Sequence, residues 1–261
     1  MSYYNPPKSR NNYDPKSKDA FTLSRSRIEG YLRCPRCFYL DRRLGVDAPP
    51  TPGYPINSAI DFLLKKEFDL LRKSGKPHEL MKKFSVDAIP FEHPNLPIWR
   101  DDVNEYIGIS FLHTPTNLKI TGMIDDVWIN TKGELHIVDY KATSTQKEIS
   151  LEDEYKQSYK NQMEIYQWIF RKNDFKVSDI GYFVFANGKK TAEKFDGILE
   201  FEMQIISHLG DDKWVEPTIL KIKKCLGSDQ IPDYSKNCDY CKYRLASKKL
   251  ENNITQGSLG L

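Results

Sequence analysis

At 261 residues, with 39% hydrophobic and 12% aromatic side chains, the chain can bury a real core as one large or two small domains. A net charge of +3 excludes a global field that would commit it to nucleic acid, so any basic groove is local, at Arg42-Arg43, Lys65-Lys66, Lys189-Lys190 or 221–224. No apolar stretch is long enough for a membrane span and the polar N-terminus lacks a signal-peptide core, which makes the cytoplasm the default expectation.

Residues 1–20, rich in Asn, Lys, Pro, Ser and Tyr without periodicity, read as a disordered tail, and 248–261 as a flexible one. The folded domain is expected over 21–247. Ser26 and Glu29 have capping-box form, with Ile28, Tyr31 and Leu32 at helical spacing, so a first helix is expected to end near Cys34-Pro35. A second helix over about 58–71 carries an apolar stripe of Ile60, Leu63, Leu64, Phe68 and Leu71. A strand is predicted over 103–113, then a hairpin of 117–130 with 134–141 whose turn is Asn130–Gly133. A helix over 155–171, strands over 180–185 and 198–206, and a helix over 214–226 with Pro217 in its first turn complete the pattern.

The chemistry concentrates in the hairpin. One arm contains Gly122-Met123-Ile124-Asp125-Asp126 and the other Asp139-Tyr140-Lys141. Residues two apart in a strand share a face, so Asp139 and Lys141 point the same way as Leu135 and Ile137. A carboxylate and an ammonium on an otherwise apolar face are costly unless they are paired or hold a metal. Two acids converging beside a lysine suit a Mg²⁺ or Mn²⁺ site for phosphodiester hydrolysis. Asp126 is expected on the opposite face. His136 alternates away from Asp139, and His78, His93, His113 and His208 fall in no ligand spacing.

Four of the five cysteines form two Cys-x-x-Cys pairs, Cys34/Cys37 and Cys238/Cys241. Outside a secretory setting, that pattern points to a metal centre, either tetrahedral Zn²⁺ or a [4Fe–4S] cluster, joining the N- and C-terminal segments. Cys225, between apolar residues and lysines, reads as a buried free thiol.

These motifs together resemble the PD-(D/E)XK nuclease superfamily. The Gly122-Met123-Ile124-Asp125 and Asp139-Tyr140-Lys141 forms look like its RecB-type branch, and Gln162–Tyr166 is similar to that branch's Gln-x-x-x-Tyr motif. Ser24–Leu40 is similar to the N-terminal segment of the CRISPR-associated iron–sulfur exonucleases. The resemblance implies an α/β, restriction-endonuclease-like core with a central mixed sheet flanked by helices. It implies Asp125 and Asp139 as metal ligands with the Tyr140 carbonyl, Lys141 as the catalytic lysine, and Gln162 and Tyr166 positioning a DNA phosphate or that lysine. Relatives often carry a histidine in the helix before the first Asp. This chain has Asp61 and Glu67 there, either of which offers an outer metal ligand. Iron–sulfur relatives use one early cysteine, matched by Cys34, and three late ones. Here the set is two plus two, so the paired knuckles leave structural Zn²⁺ as the alternative, while the family context favours a [4Fe–4S] cluster, which is the expectation.

The implied function is a metal-dependent DNA nuclease, an exonuclease on single strands or DNA ends, in DNA repair, recombination or CRISPR-type defence. A helicase or CRISPR-adaptation partner would accompany it. A catalytically impaired DNA-binding or assembly subunit with the same fold, and a zinc-stapled interaction domain, are the alternatives.

Overall fold

The computed structural model describes residues 4–9, 11–100 and 108–257. It opens with strand β1 (Phe21–Ser24) and helices α1 (Arg25–Arg33), α2 (Pro35–Arg42) and α3 (Pro55–Ser74). Short elements follow: α4 (Glu79–Lys83), β2 (Ile89–Pro90) and α5 (Leu96–Arg100). Strands β3 (Ile109–His113), β4 (Leu118–Gly122), β5 (Asp126–Ile129) and β6 (Leu135–Thr143) lead through a 3-10 turn into α6 (Gln157–Lys172). Then come β7 (Ile180–Gly188), β8 (Phe201–Leu209), α7 (Val215–Gly227) and α8 (Asp239–Gly257).

The strands make two mixed sheets. One has the order β1-β4-β3, the other β2-β5-β6-β7-β8. In the larger sheet β6 and β7 are parallel, joined by a crossover that contains α6, as a parallel pair requires. Its two faces are covered separately. Ile137, Phe183 and Phe185 lie in the cluster that includes Met163 and Ile169 of α6. Trp128, Val138, Tyr140 and Val184 pack with Leu64 and Phe68 of α3. The site lies where β6 passes between these two helices.

The expected strand over 117–130 is therefore corrected. It breaks at Met123–Asp125, and its halves belong to different sheets. Two hydrogen bonds and one buried side chain hold the break. Ile124 N–H donates to the Trp99 carbonyl at 3.1 Å, the Tyr166 hydroxyl donates to the Met123 carbonyl at 2.6 Å, and Ile124 itself is buried. Of the two halves, β5 alone pairs with β6, so the expected hairpin holds over Asp126–Ile129 and Leu135–Val138. The first part of the strand predicted over 103–113, residues 103–107, lies outside the described residues; the rest is β3.

Other expectations need adjustment. The Ser26/Glu29 capping box does not form: Ser24 is the N-cap, without a side-chain capping bond, and Glu29 instead accepts from Asn161 of α6 at 3.0 Å. Proline at the start of α2 needs no amide donor, so the chain turns at Cys34 and resumes as a helix. In α3 the stripe keeps Leu64 and Phe68, but Leu63 points outward and is 60% exposed. The N-terminal segment is not free of contacts. Tyr13 is buried, packed edge-on against Phe21, and its amide donates to the Arg42 carbonyl at 2.6 Å. Residues 248–257 continue α8; 1–3, 10 and 258–261 lie outside the described residues. Among the described residues no helix is long and apolar enough to cross a membrane.

Candidate active site and cysteine centre

The β5–β6 register pairs Asp126 with Val138. Continued by one residue, it sets Asp125 opposite Asp139, which is how two residues distant in sequence come to share a site. The Tyr140 amide donates to Asp125 Oδ2 at 2.8 Å and fixes that carboxylate over β6. Burial and the neighbouring Asp139 charge push Asp125 up to about 6, against the pull of Lys141 and Lys65. Alternation along β6 puts Asp139 and Lys141 on one face, in direct ion contact. Burial opposes charge on Lys141, but Asp139 and Asp125 outweigh it and hold the ammonium above the ordinary lysine range.

Helix α6 presents three residues at one helical face to this pair. Tyr159 lies under Lys141, with the ammonium 4.6 Å from the ring centroid. Gln162 donates to Asp139 Oδ1 at 2.6 Å. Tyr166 binds the Met123 carbonyl, and its ring lies so close to Gly122 that a Cβ there would collide with it. The resemblance gave Gln162 and Tyr166 to a DNA phosphate or the lysine. In this geometry Gln162 orients a carboxylate and Tyr166 anchors the bend that carries Asp125.

The other wall comes from α3. Asp61 and Lys65 form an ion pair of 2.9 Å, and the Lys65 ammonium stands 3.9 Å from Asp125. Asp61, Asp125, Tyr140, Lys141 and Tyr159 line one cavity of about 370 Å³. Asp61 shares the cavity without converging on the two strand carboxylates. Among the described residues, only the cysteines bring three or more such donor atoms within 4.8 Å of one another. Glu67 lies outside the site, bonded to His78 at 2.8 Å.

Asp126 faces the other way, as expected. It accepts from Arg72 and from the Tyr140 hydroxyl at 2.5 and 2.8 Å, fully buried. His136 is buried and bonded to the Ile180 carbonyl at 2.7 Å. The remaining histidines also have structural contacts: His78 caps α4, His93 stacks on Trp99, His113 bonds Thr116 and His208 bonds Glu164.

Sequence reasoning missed Lys65, Tyr159 and Arg25. Lys65 read as part of a surface basic pair. Tyr159 stands three residues before Gln162, a spacing that could have revealed it. Arg25, first in α1, has its guanidinium beside the Tyr166 hydroxyl, and nothing local marked it.

The residues present fit a hard divalent cation. Asp125 and Asp139 offer oxygen donors, and Asp139 Oδ2 is buried, with the Lys141 ammonium against it but no aligned hydrogen-bond donor among the described residues.

At the other end of α1, Cys34, Cys37, Cys238 and Cys241 converge, three of them buried. Their sulfurs are 3.9 Å apart between Cys34 and Cys241, 3.6 Å between Cys37 and Cys238, and 3.5 Å between Cys37 and Cys241. Burial would raise the Cys34 thiol, yet hydrogen bonds from the Cys37 and Ser235 backbone and from the Cys238 and Cys37 side chains bring it down to about 7. Burial pushes Cys241 up to about 11. Cys225 stands apart, packed against the main core.

A family model described as the PD-(D/E)XK nuclease superfamily matches residues 58–246. No curated protein matches the sequence. Among solved structures, the crystal structure of SSO0001 is similar at 15% identity, over 88% of this chain and 86% of that one, with a TM-score of 0.36.

Proposed function

Because the chain belongs to the PD-(D/E)XK nuclease superfamily, we propose that it is a metal-dependent deoxyribonuclease of the RecB-like type, cutting single-stranded DNA or DNA ends. The observation that supports it best is the juxtaposition of Asp125, Asp139 and Lys141, with Gln162 bonded to Asp139. Asp125, Asp139 and the Tyr140 carbonyl would hold Mg²⁺ or Mn²⁺, with Asp61 as an outer ligand; that ion supplies Lewis acidity at the scissile phosphate. Gln162 and the Tyr140 amide fix the two carboxylates before substrate arrives. Lys141, kept cationic by its acid neighbours, faces the negative charge that builds on the phosphate as water attacks phosphorus and the ester P–O bond breaks. Its raised pKa suits a charge donor better than a base. Similarity of the N-terminal segment to CRISPR-associated exonucleases suggests DNA repair, recombination or CRISPR-type defence as the setting, with a helicase or adaptation complex as partner.

The test is degradation of end-labelled single-stranded DNA with Mn²⁺. Wild type is expected to cleave, while Asp139→Ala and Lys141→Ala lose the activity and keep the fold by circular dichroism. Binding without cleavage in any divalent metal would assign the chain to a DNA-binding or assembly role.

For the cysteine centre we propose Zn²⁺. At a Zn–S distance of about 2.3 Å, a tetrahedron has edges of about 3.8 Å, close to the 3.5–3.9 Å separations of the thiols. A cubane cluster, with an iron at each ligating corner, spreads its thiolates wider. Colourless protein with one zinc per chain is expected; brown protein with broad visible absorption would establish the [4Fe–4S] alternative.

A further inference from the structure

Helix α1 connects the two centres. Arg25 at its start lies beside Tyr166, and Cys34 follows its last residue. Nine residues span about 13 Å at a helical rise of about 1.5 Å each. Between the ends, Arg27, Gly30 and Arg33 share one face, and that face walls a cavity of about 470 Å³. The first turns of α8 form the opposite wall with Tyr240, Tyr243 and Arg244. A Cβ at Gly30 would meet nothing within 4 Å, so the space beside it is open.

Over a largely apolar lining, this cavity carries aromatic rings and arginines that suit one ligand chemistry. Tyr240 and Tyr243 are 45% and 74% exposed, large rings left on the surface. The acids nearby are already committed: Asp41 to Arg27 and Arg42, Asp47 to Lys8. Arg33 and Arg244 have no ion pair among the described residues, so they add uncompensated positive charge. Guanidinium forks suit phosphate oxygens, and tyrosine rings accept any base by stacking.

We propose that this cavity is a nucleotide subsite for single-stranded nucleic acid, with a base against Tyr240 and Tyr243 and its phosphates on Arg33 and Arg244. The strand is gripped beside the cysteine centre and led along α1 toward Asp125 and Asp139. The inference rests on the nuclease reading and extends it to how the substrate is held.

Binding of labelled oligothymidylate, without divalent metal and over a salt series, tests it. Tyr243→Ala should weaken binding about tenfold. Arg33→Gln and Arg244→Gln should each lower the slope of log affinity against log salt by about 0.7. All three side chains are exposed, so the fold is kept, and an unchanged metal content of the cysteine centre verifies this. Iodouracil-substituted strands should photo-cross-link within 240–244. Wild-type affinity and salt slope in all three variants, or cross-links only elsewhere, would overturn the subsite and leave the cavity to a protein partner. Hydrolysis of thymidine 5′-nitrophenyl phosphate by the wild type with Mn²⁺, a substrate too small to reach the cavity, tests the nuclease reading by itself.

Discussion

Gly122 and Tyr166 sit in two separate sequence motifs yet form one unit: the ring lies where a Cβ would be, and the hydroxyl holds the next carbonyl. Gly122→Ala should therefore force the ring off its place, at about 1–3 kcal/mol, with a lower Tm and a weaker Mn²⁺ site because Asp125 moves with the bend. Asp125 also sets a pH dependence. Its carboxyl, pushed up to about 6 by burial and by Asp139, must lose its proton to take a cation. Mn²⁺ affinity should fall about tenfold per pH unit below that value and level off above it. Lys65 lowers this pKa, so Lys65→Met should move the midpoint of a Mn²⁺ titration series to higher pH. A midpoint unchanged or shifted downward would show that Lys65 does not act on Asp125.

At the scale of elements, β6 is braced on its far face by buried charge. Arg72 of α3 bonds Asp126 at 2.5 Å, and the Tyr140 hydroxyl bonds the other oxygen at 2.8 Å. Asp69 in turn holds both Arg72 and Arg100. Among the described residues, Asp126→Ala leaves the buried Tyr140 hydroxyl without its acceptor and Arg72 with only Asp69 and the Phe91 carbonyl, so it should cost about 1–3 kcal/mol in urea unfolding. The double change to Asp126→Leu with Arg72→Met should recover much of it. The hairpin was legible because Leu135–Tyr140 is a largely apolar run, buried on both faces, and the turn residues Asn130–Gly133 before it are distinct. The break at Met123–Asp125 was not, because only the Trp99 carbonyl and the Tyr166 hydroxyl, both distant in sequence, specify it. Lys65 was illegible for a similar reason: one turn of α3 carries both it and the solvent-facing Lys66, and only the packing angle decides which meets Asp125. Helix α8 offered no apolar stripe to read.

That polar helix bears on the molecule as a whole. Among residues 239–253, only Cys241 is buried, so hydrophobic packing alone gives α8 little reason to dock. Its anchor is the cysteine centre, which ties Cys34 to Cys241 across a separation of 207 residues. With the Zn²⁺ proposed above bound, closing a loop of that length would remove roughly 5 kcal/mol of chain entropy from the unfolded state. The core does not depend on it in the same way, since β6, β7 and α6 are packed by Ile137, Phe183 and Ile169. Stripping the metal with a chelator, or replacing Cys241→Ser, should therefore free α8 before it unfolds the sheet. Limited proteolysis should then cut between 228 and 238, and amide exchange should rise through 239–253 while β6 stays protected. Simultaneous loss of protection in β6 and α8 would mean instead that the centre is integral to the whole fold, and that the two ends and the core unfold as one cooperative unit.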